Sequence, residues 1–223
     1  MMCCKCRKII KGAIFDIDGT LLDSMGIWEE VGVHYLKSLG VLPEAHLSEI
    51  LFPMSMEEGA SYLKEHYHLP KEVEQIKEDV LKIIADFYYD EVTLKPGVKT
   101  LLELFEKRKI PMLLATSGDK QLTMAALKRL GIHGYFSKLL TCTELKTSKR
   151  EPLIYEKAIE FFNVPASRVI VFEDVLYALK IAKKLGCITV GVEDATSQSD
   201  RTEIIEVADY YVRDFKELKT VME

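Results

Sequence analysis

At 223 residues the chain has room for one sizeable domain, or for a domain carrying a smaller insertion. Its 48% hydrophobic content suffices for a core, and 30 Lys and Arg against 35 Asp and Glu leave a net charge of −5. That balance argues against nucleic acid or anionic membrane as the main partner, because both reward clustered positive charge.

No apolar run approaches the ~20 residues that span a bilayer. The first residues also lack the apolar stretch of ~7–15 residues found in a signal peptide, so a cytoplasmic location and a monomer are expected. Five cysteines are present. Cys3, Cys4 and Cys6 crowd the N-terminus without the second Cys or His pair that a zinc site needs. Cys142 and Cys187 lie in apolar segments and are expected as buried thiols.

In chain order, the apolar run Ile9–Asp16 predicts a strand. From Met25 to about Glu91 no strand follows, only helical patterns over Ile27–Leu39, Met56–Tyr67 and Lys71–Tyr89, broken near Gly40–Pro43 and His68–Pro70. Leu94-Lys95-Pro96-Gly97 then leads into a helix over Val98–Lys107. Strands are predicted at Pro111–Thr116, Lys138–Cys142, Val169–Glu173, Cys187–Val192 and Asp209–Val212. Between them lie helices Lys120–Leu130, Pro152–Phe162 and Tyr177–Leu185, the last closed by Gly186, a good C-cap residue. Alternating strands and helices imply an α/β fold: a doubly wound, Rossmann-like parallel sheet covered on both faces. Residues 1–23 and 94–223 are expected to form that core, with 24–93 a small all-helical cap domain inserted after the first strand.

In open α/β sheets, ligands bind outside the carboxyl ends of the strands, so polar residues at those ends are the candidates. The first strand runs into Asp16-Ile17-Asp18-Gly19-Thr20-Leu21-Leu22-Asp23-Ser24. Asp16 and Asp18, two residues apart, can face one pocket. Close carboxylates repel, so they need a cation between them or one must hold a proton. That suits an acidic nucleophile beside a general acid/base. Thr116-Ser117-Gly118 ends the second strand and offers hydroxyls and backbone N–H groups to a phosphate. Lys149, in the polar loop Lys146–Pro152, could offset phosphate charge. Glu173-Asp174 caps a fully apolar strand, which is costly unless a cation pairs with it. Hard oxygen ligands of this kind favour Mg²⁺.

These residues together resemble the motifs of the haloacid dehalogenase (HAD) superfamily. Asp16 to Ser24 is similar to its first motif, and Thr116, Lys149 and Glu173-Asp174 to the second, third and fourth, in the right order. The resemblance implies a magnesium-dependent phosphatase in which Asp16 is the nucleophile and Asp18 the acid/base. Thr116, Ser117 and Lys149 would hold the phosphate, while Asp16, the backbone carbonyl of Asp18, and Asp174 would bind Mg²⁺. The helical insertion resembles the cap of the subfamily that includes β-phosphoglucomutases and phosphoglycolate phosphatases. Two departures concern loop packing: Lys149-Arg150-Glu151-Pro152 replaces Lys-Pro-x-Pro, and Val175 and Ala178 stand where many relatives have Ser and Gly.

Asp18 argues against dehalogenation, since halide departure needs no proton donor. A phosphomutase is the nearest enzymatic alternative, but Trp28 and Met56 align with the histidine and arginine of β-phosphoglucomutases. A catalytically silent binding protein on the same fold is the other alternative. The expected substrate is a small phosphorylated metabolite, a sugar or polyol phosphate, because Leu51–Glu58 in the cap contains no basic residue to meet a second anion. Lys64, Lys71 or Lys77 could overturn that argument from another helix. Trp28 and the cap methionines, at helical spacing, are expected in the cap's own core.

Overall fold

The computed structural model describes residues 10–218; Cys3, Cys4, Cys6 and the start of the predicted first strand lie outside that range. The chain divides into two compact units: residues up to Asp23 together with those from Thr93 onward, and Ser24–Val92.

The elements in order are strands β1 (Gly12–Phe15) and β2 (Leu22–Asp23), then helices α1 (Met25–Ser38), α2 (Leu47–Leu51), α3 (Met56–His66) and α4 (Val73–Asp86). Next come β3 (Thr93–Leu94), α5 (Val98–Lys107), β4 (Met112–Thr116), α6 (Lys120–Arg129), β5 (Phe136–Thr141) and α7 (Cys142–Leu145). The chain continues through α8 (Leu153–Phe162), β6 (Val169–Glu173), α9 (Leu176–Lys184), β7 (Ile188–Val192), α10 (Arg201–Val207) and β8 (Tyr210–Val212).

The first unit carries a six-stranded sheet in the order β5-β4-β1-β6-β7-β8. All of its pairings are parallel, and β2 pairs separately with β3, antiparallel. This is the doubly wound α/β fold that the alternating pattern predicts. β1, β4, β6 and β7 are buried at every position, as strands covered by helices on both faces must be. The core is aromatic at its centre. Phe15 stacks on Phe172 with ring centroids 4.4 Å apart, and Phe105 and Phe136 pack around Phe15. Side chains of this size stabilise the fold by about 1.5–3 kcal/mol each on burial.

Strand order reverses across β1, with β4 and β5 on one side and the later β6, β7 and β8 on the other. The carboxyl ends of β1, β4 and β6 therefore lie side by side at the reversal, where such sheets place their ligands. Gly186 does end α9, at φ +88. Its N–H donates to Lys183 O and that of Cys187 to Ala182 O, the Schellman arrangement that needs a left-handed residue there.

Several elements differ from expectation. The fifth strand starts at Phe136 and stops at Thr141, because the Thr141 hydroxyl accepts the Glu144 N–H and caps α7, so Cys142 is helical. Helices α2 and α10 have no counterpart in the predicted set. Cys142 and Cys187 are free and buried.

The helical unit is built from α1–α4, with α4 running into a π-helical turn, Phe87–Glu91. A capping box starts α3: Ser55 Oγ accepts the Glu58 N–H at 3.2 Å, and Glu58 Oε2 accepts the Ser55 N–H at 2.8 Å. Its core comprises Ile27, Tyr35, Leu36, Leu63, Ile76, Val80 and Ile84, among others. Trp28 is not part of it. The indole is 42% exposed, with its N–H donating to the Tyr88 hydroxyl at 3.4 Å, and Phe52 is 61% exposed. Met54 and Met56 are only half-buried. The buried stripe of α1 runs through Ile27, Gly32, Tyr35 and Leu36, which turns Trp28 outward. Among the described residues no helix is long and apolar enough to cross a membrane.

Candidate active site

Asp16 follows β1 directly, and its N–H donates to Phe172 O at 3.0 Å, which ties the strand tip to β6. The chain then folds back tightly. Ile17 O accepts the N–H groups of Thr20, Leu21 and Leu22, and Gly19 adopts φ +78, a conformation that favours glycine. This turn directs Thr20 inward, where its hydroxyl donates to Asp174 Oδ1 at 3.0 Å.

Asp16, Lys149, Glu173 and Asp174 are each at most 5% exposed. Lys149 Nζ donates to Asp16 Oδ1, and to Glu173 Oε1 at 2.6 Å. Glu173 Oε1 also accepts from the Tyr155 hydroxyl at 2.5 Å. Glu173 Oε2 and Asp174 Oδ2 are buried with no hydrogen-bond partner. Two carboxylates thus hold a single ammonium, and a third, Asp174, lies beside them.

Such crowding displaces the titrations. Burial first, and then the Glu173 charge, push the Asp16 carboxyl up from 3.8 to about 7, against the pull of Lys149. Burial and the Asp16 charge hold the Asp174 carboxyl well above its ordinary range. Burial alone would lower Lys149, but Asp16 and Glu173 outweigh it and raise it above an ordinary lysine. Tyr155 is likewise raised, by burial and by Glu173, and stays a proton donor.

The residues present fit a divalent cation. Asp16, Glu173 and Asp174 each offer an oxygen, all within 4.8 Å of one another. Oxygens on opposite sides of an ion with bonds of about 2.1 Å lie roughly 4.2 Å apart, so the cluster is of the right size for Mg²⁺. The two partnerless oxygens are what such an ion would satisfy, since a buried carboxylate oxygen left bare is costly.

Asp18 is half-buried and faces the end of β4. A Cβ on Gly118 would lie 2.8 Å from Asp18 Oδ2 and 3.2 Å from Thr116 Oγ1, so a side chain there would push one or both of these groups aside. The backbone cradle expected here is partly occupied. Thr116 Oγ1 accepts the Gly118 N–H at 2.8 Å, and Asp119 Oδ1 accepts the N–H groups of Gln121 and Leu122 at the start of α6. Ser117 is exposed, with its hydroxyl 3.6 Å from Cys142 Sγ. The structure thus brings Asp16, Lys149 and Asp174 into one cluster and Asp18 beside Thr116. Ser117 is turned to a cysteine.

Sequence reasoning assigned no partner role to Thr20 or Tyr155. Thr20 stands inside the first motif, a signal that was available. Tyr155 sits at an ordinary apolar position of α8, and nothing in the pattern marks its hydroxyl.

Comparison with known proteins agrees with this geometry. The profile of the haloacid dehalogenase-like hydrolases matches residues 13–192. A phosphorylated carbohydrates phosphatase of Thermotoga maritima is 28% identical over 79% of this chain and 82% of its own. Validoxylamine A 7′-phosphate phosphatase of Streptomyces hygroscopicus subsp. limoneus is 26% identical over 94% of this chain and 96% of its own. Among solved structures, a Thermotoga maritima protein provisionally named a β-phosphoglucomutase superposes with a TM-score of 0.82 at 26% identity, covering 95% of this chain and 98% of that one. The chain belongs to the haloacid dehalogenase-like hydrolases and is an enzyme of that type.

Proposed function

We propose that this hydrolase is a Mg²⁺-dependent phosphatase that removes phosphate from a small monoester, a sugar or polyol phosphate, through a phosphorylated Asp16. The observation that carries the reading is the buried cluster in which Lys149 bridges Asp16 and Glu173 while Glu173 Oε2 and Asp174 Oδ2 face no donor.

Asp16, the backbone carbonyl of Asp18, and Asp174 would hold the ion, with Glu173 alongside. Bound Mg²⁺ would supply positive charge that reduces repulsion between the ester and the aspartate. The Asp16 carboxylate attacks phosphorus in line, with the Lys149 ammonium offsetting charge on the phosphoryl oxygens. Thr116 holds those oxygens from the β4 side, and Ser117 would join it only by turning its hydroxyl away from Cys142. Asp18 in its protonated form gives its proton to the leaving alcohol. It then takes a proton from the water that cleaves the aspartyl phosphate, so one residue serves both half-reactions.

The helical unit supports an uncharged leaving group, as a cap that selects substrate. Leu51–Glu58 has no basic residue. The three lysines that could have supplied charge are engaged within the unit: Lys64 with Glu72 at 2.6 Å, Lys71 with Asp79 at 2.6 Å, and Lys77 with Glu57 and Glu74 at 2.7 and 2.8 Å. The phosphorylated carbohydrates phosphatase named above supports a carbohydrate phosphate as substrate. We take the enzyme to act as a cytoplasmic monomer.

A phosphomutase reading draws on the structural likeness to the Thermotoga protein named for that activity. Against it, Trp28 and Met56 occupy the positions aligned with the mutase histidine and arginine, and neither can replace their hydrogen bonds. The deciding experiment compares catalytic efficiency on hexose and polyol monophosphates with that on phosphoglycolate and sugar bisphosphates, measuring free phosphate. Preference for the monophosphates is expected. Preference for the doubly anionic esters would refute the cap argument, and isomerised sugar phosphate without free phosphate would refute hydrolysis.

A further inference from the structure

Glu173 Oε1 receives two donors, Lys149 Nζ at 2.6 Å and the Tyr155 hydroxyl at 2.5 Å, while Oε2 of the same carboxylate receives none. Tyr155 is fully buried on α8, and the loop leading into that helix carries Lys149. One continuous segment therefore delivers both donors to one acceptor at the end of β6. A buried tyrosine hydroxyl needs a partner, and Glu173 Oε1 has a second lone pair for it beside Lys149. With both donors on Oε1, the rotation of the carboxylate is fixed and Oε2 is left free for a cation.

That rotation matters because a lysine stem is flexible and its ammonium goes where its acceptors are. Lys149 has two acceptors, Asp16 and Glu173. In the proposed reaction Asp16 becomes an acyl phosphate and its carboxylate charge is lost, which leaves Glu173 as the carboxylate that anchors Lys149 beside the phosphoryl oxygens in the second half-reaction.

We propose that Tyr155 is a positioning residue, holding Glu173 so that Lys149 stays aimed at the phosphoryl group after Asp16 has been phosphorylated. The inference rests on the phosphatase reading above. It involves no new chemical step: the hydroxyl keeps its proton throughout.

The test compares Tyr155→Phe with Ile154→Val, its neighbour on α8. Ile154 is also fully buried, in the same apolar cluster, and its aliphatic side chain can make no hydrogen bond to the charged groups. Phe keeps the ring and its packing, and both variants are assayed with nitrophenyl phosphate and a polyol monophosphate at saturating Mg²⁺, well below their melting temperatures. Tyr155→Phe should lose kcat by about 10-fold with KM changed less than about threefold, because bonds to charged groups are the stronger ones. Ile154→Val should stay within twofold of wild type in kcat. A Tyr155→Phe enzyme within twofold of wild type overturns the proposal, as does an equal kcat loss in Ile154→Val. A wild-type protein inactive on every phosphate ester would instead remove the phosphatase reading, and this proposal with it, before any variant is compared.

Discussion

Both units carry exposed ion pairs, but they differ in whether charge is also buried. In the α/β unit Lys149 meets Asp16 and Glu173 with side-chain exposures of 1–7%. In the helical unit the pairs of Lys64, Lys71 and Lys77 lie at 22–79% exposure. Exposed pairs are screened and contribute about 0–1 kcal/mol. Buried ions cost several kcal/mol each to desolvate, and their attraction returns that only with good geometry. A fold that buries three clustered carboxylates with one ammonium to pair two of them is therefore strained electrostatically at rest. That strain is sensible where a cation and a phosphoryl group are to be bound, and the helical unit has nothing comparable. On the proposed reading the chemistry belongs to the first unit.

The sharpest way to break this contrast is to remove the buried nucleophile. Asp16→Asn should fold and lose roughly 10⁴-fold or more in kcat; a folded variant with wild-type turnover would end the proposed mechanism. Asp18→Asn should lose about 10²–10⁴-fold on alkyl phosphates. On nitrophenyl phosphate, whose leaving group needs no proton, the first step should be far less affected. Exhaustive chelation with EDTA should stop turnover and Mg²⁺ should restore it, whereas full activity after chelation would remove the role given to Asp174.

Stability offers a subtler probe. In the metal-free protein the Asp16 carboxyl sits near 7 rather than 3.8. Between those values the folded state keeps a proton that the unfolded chain has released. Stability is therefore fully present below about pH 4 and falls as pH rises toward 7, at up to about 1.4 kcal/mol per pH unit. The raised Asp174 acts in the same direction. Melting temperature in EDTA should drop from pH 5 to pH 7.5, and Mg²⁺ should flatten the drop; a rise with pH would contradict the assigned crowding. The smallest effect is expected in the helical unit. Lys64→Ala should change stability by less than about 1 kcal/mol and leave kcat unchanged, as a denaturant titration and a rate assay would show.

Much of this was legible in the sequence for physical reasons. Buried parallel strands read as apolar runs, and the acids at their ends stand out because such strands tolerate none within. Asp16, Glu173 and Asp174 were found that way, and the first-motif string named the family. Periodicity identifies a buried stripe but not its edges, so Trp28, one position beyond Ile27, read as core and proved exposed. The short α2, entered through His46 at φ 64, carries too few residues to show a period. Hydrogen bonds that depend on tertiary approach, Thr20 to Asp174 and Tyr155 to Glu173, join residues far apart in sequence, and no local pattern encodes them.

The central claim is that phosphate passes through Asp16. Asp18→Asn offers the most direct view, because nitrophenyl phosphate can still phosphorylate the enzyme while the water step lacks its base. Acid-quenched Asp18→Asn should carry hydroxylamine-labile phosphate on the peptide containing Asp16, at a level near one per enzyme molecule. Free phosphate released by that variant with none bound to Asp16 would contradict the account.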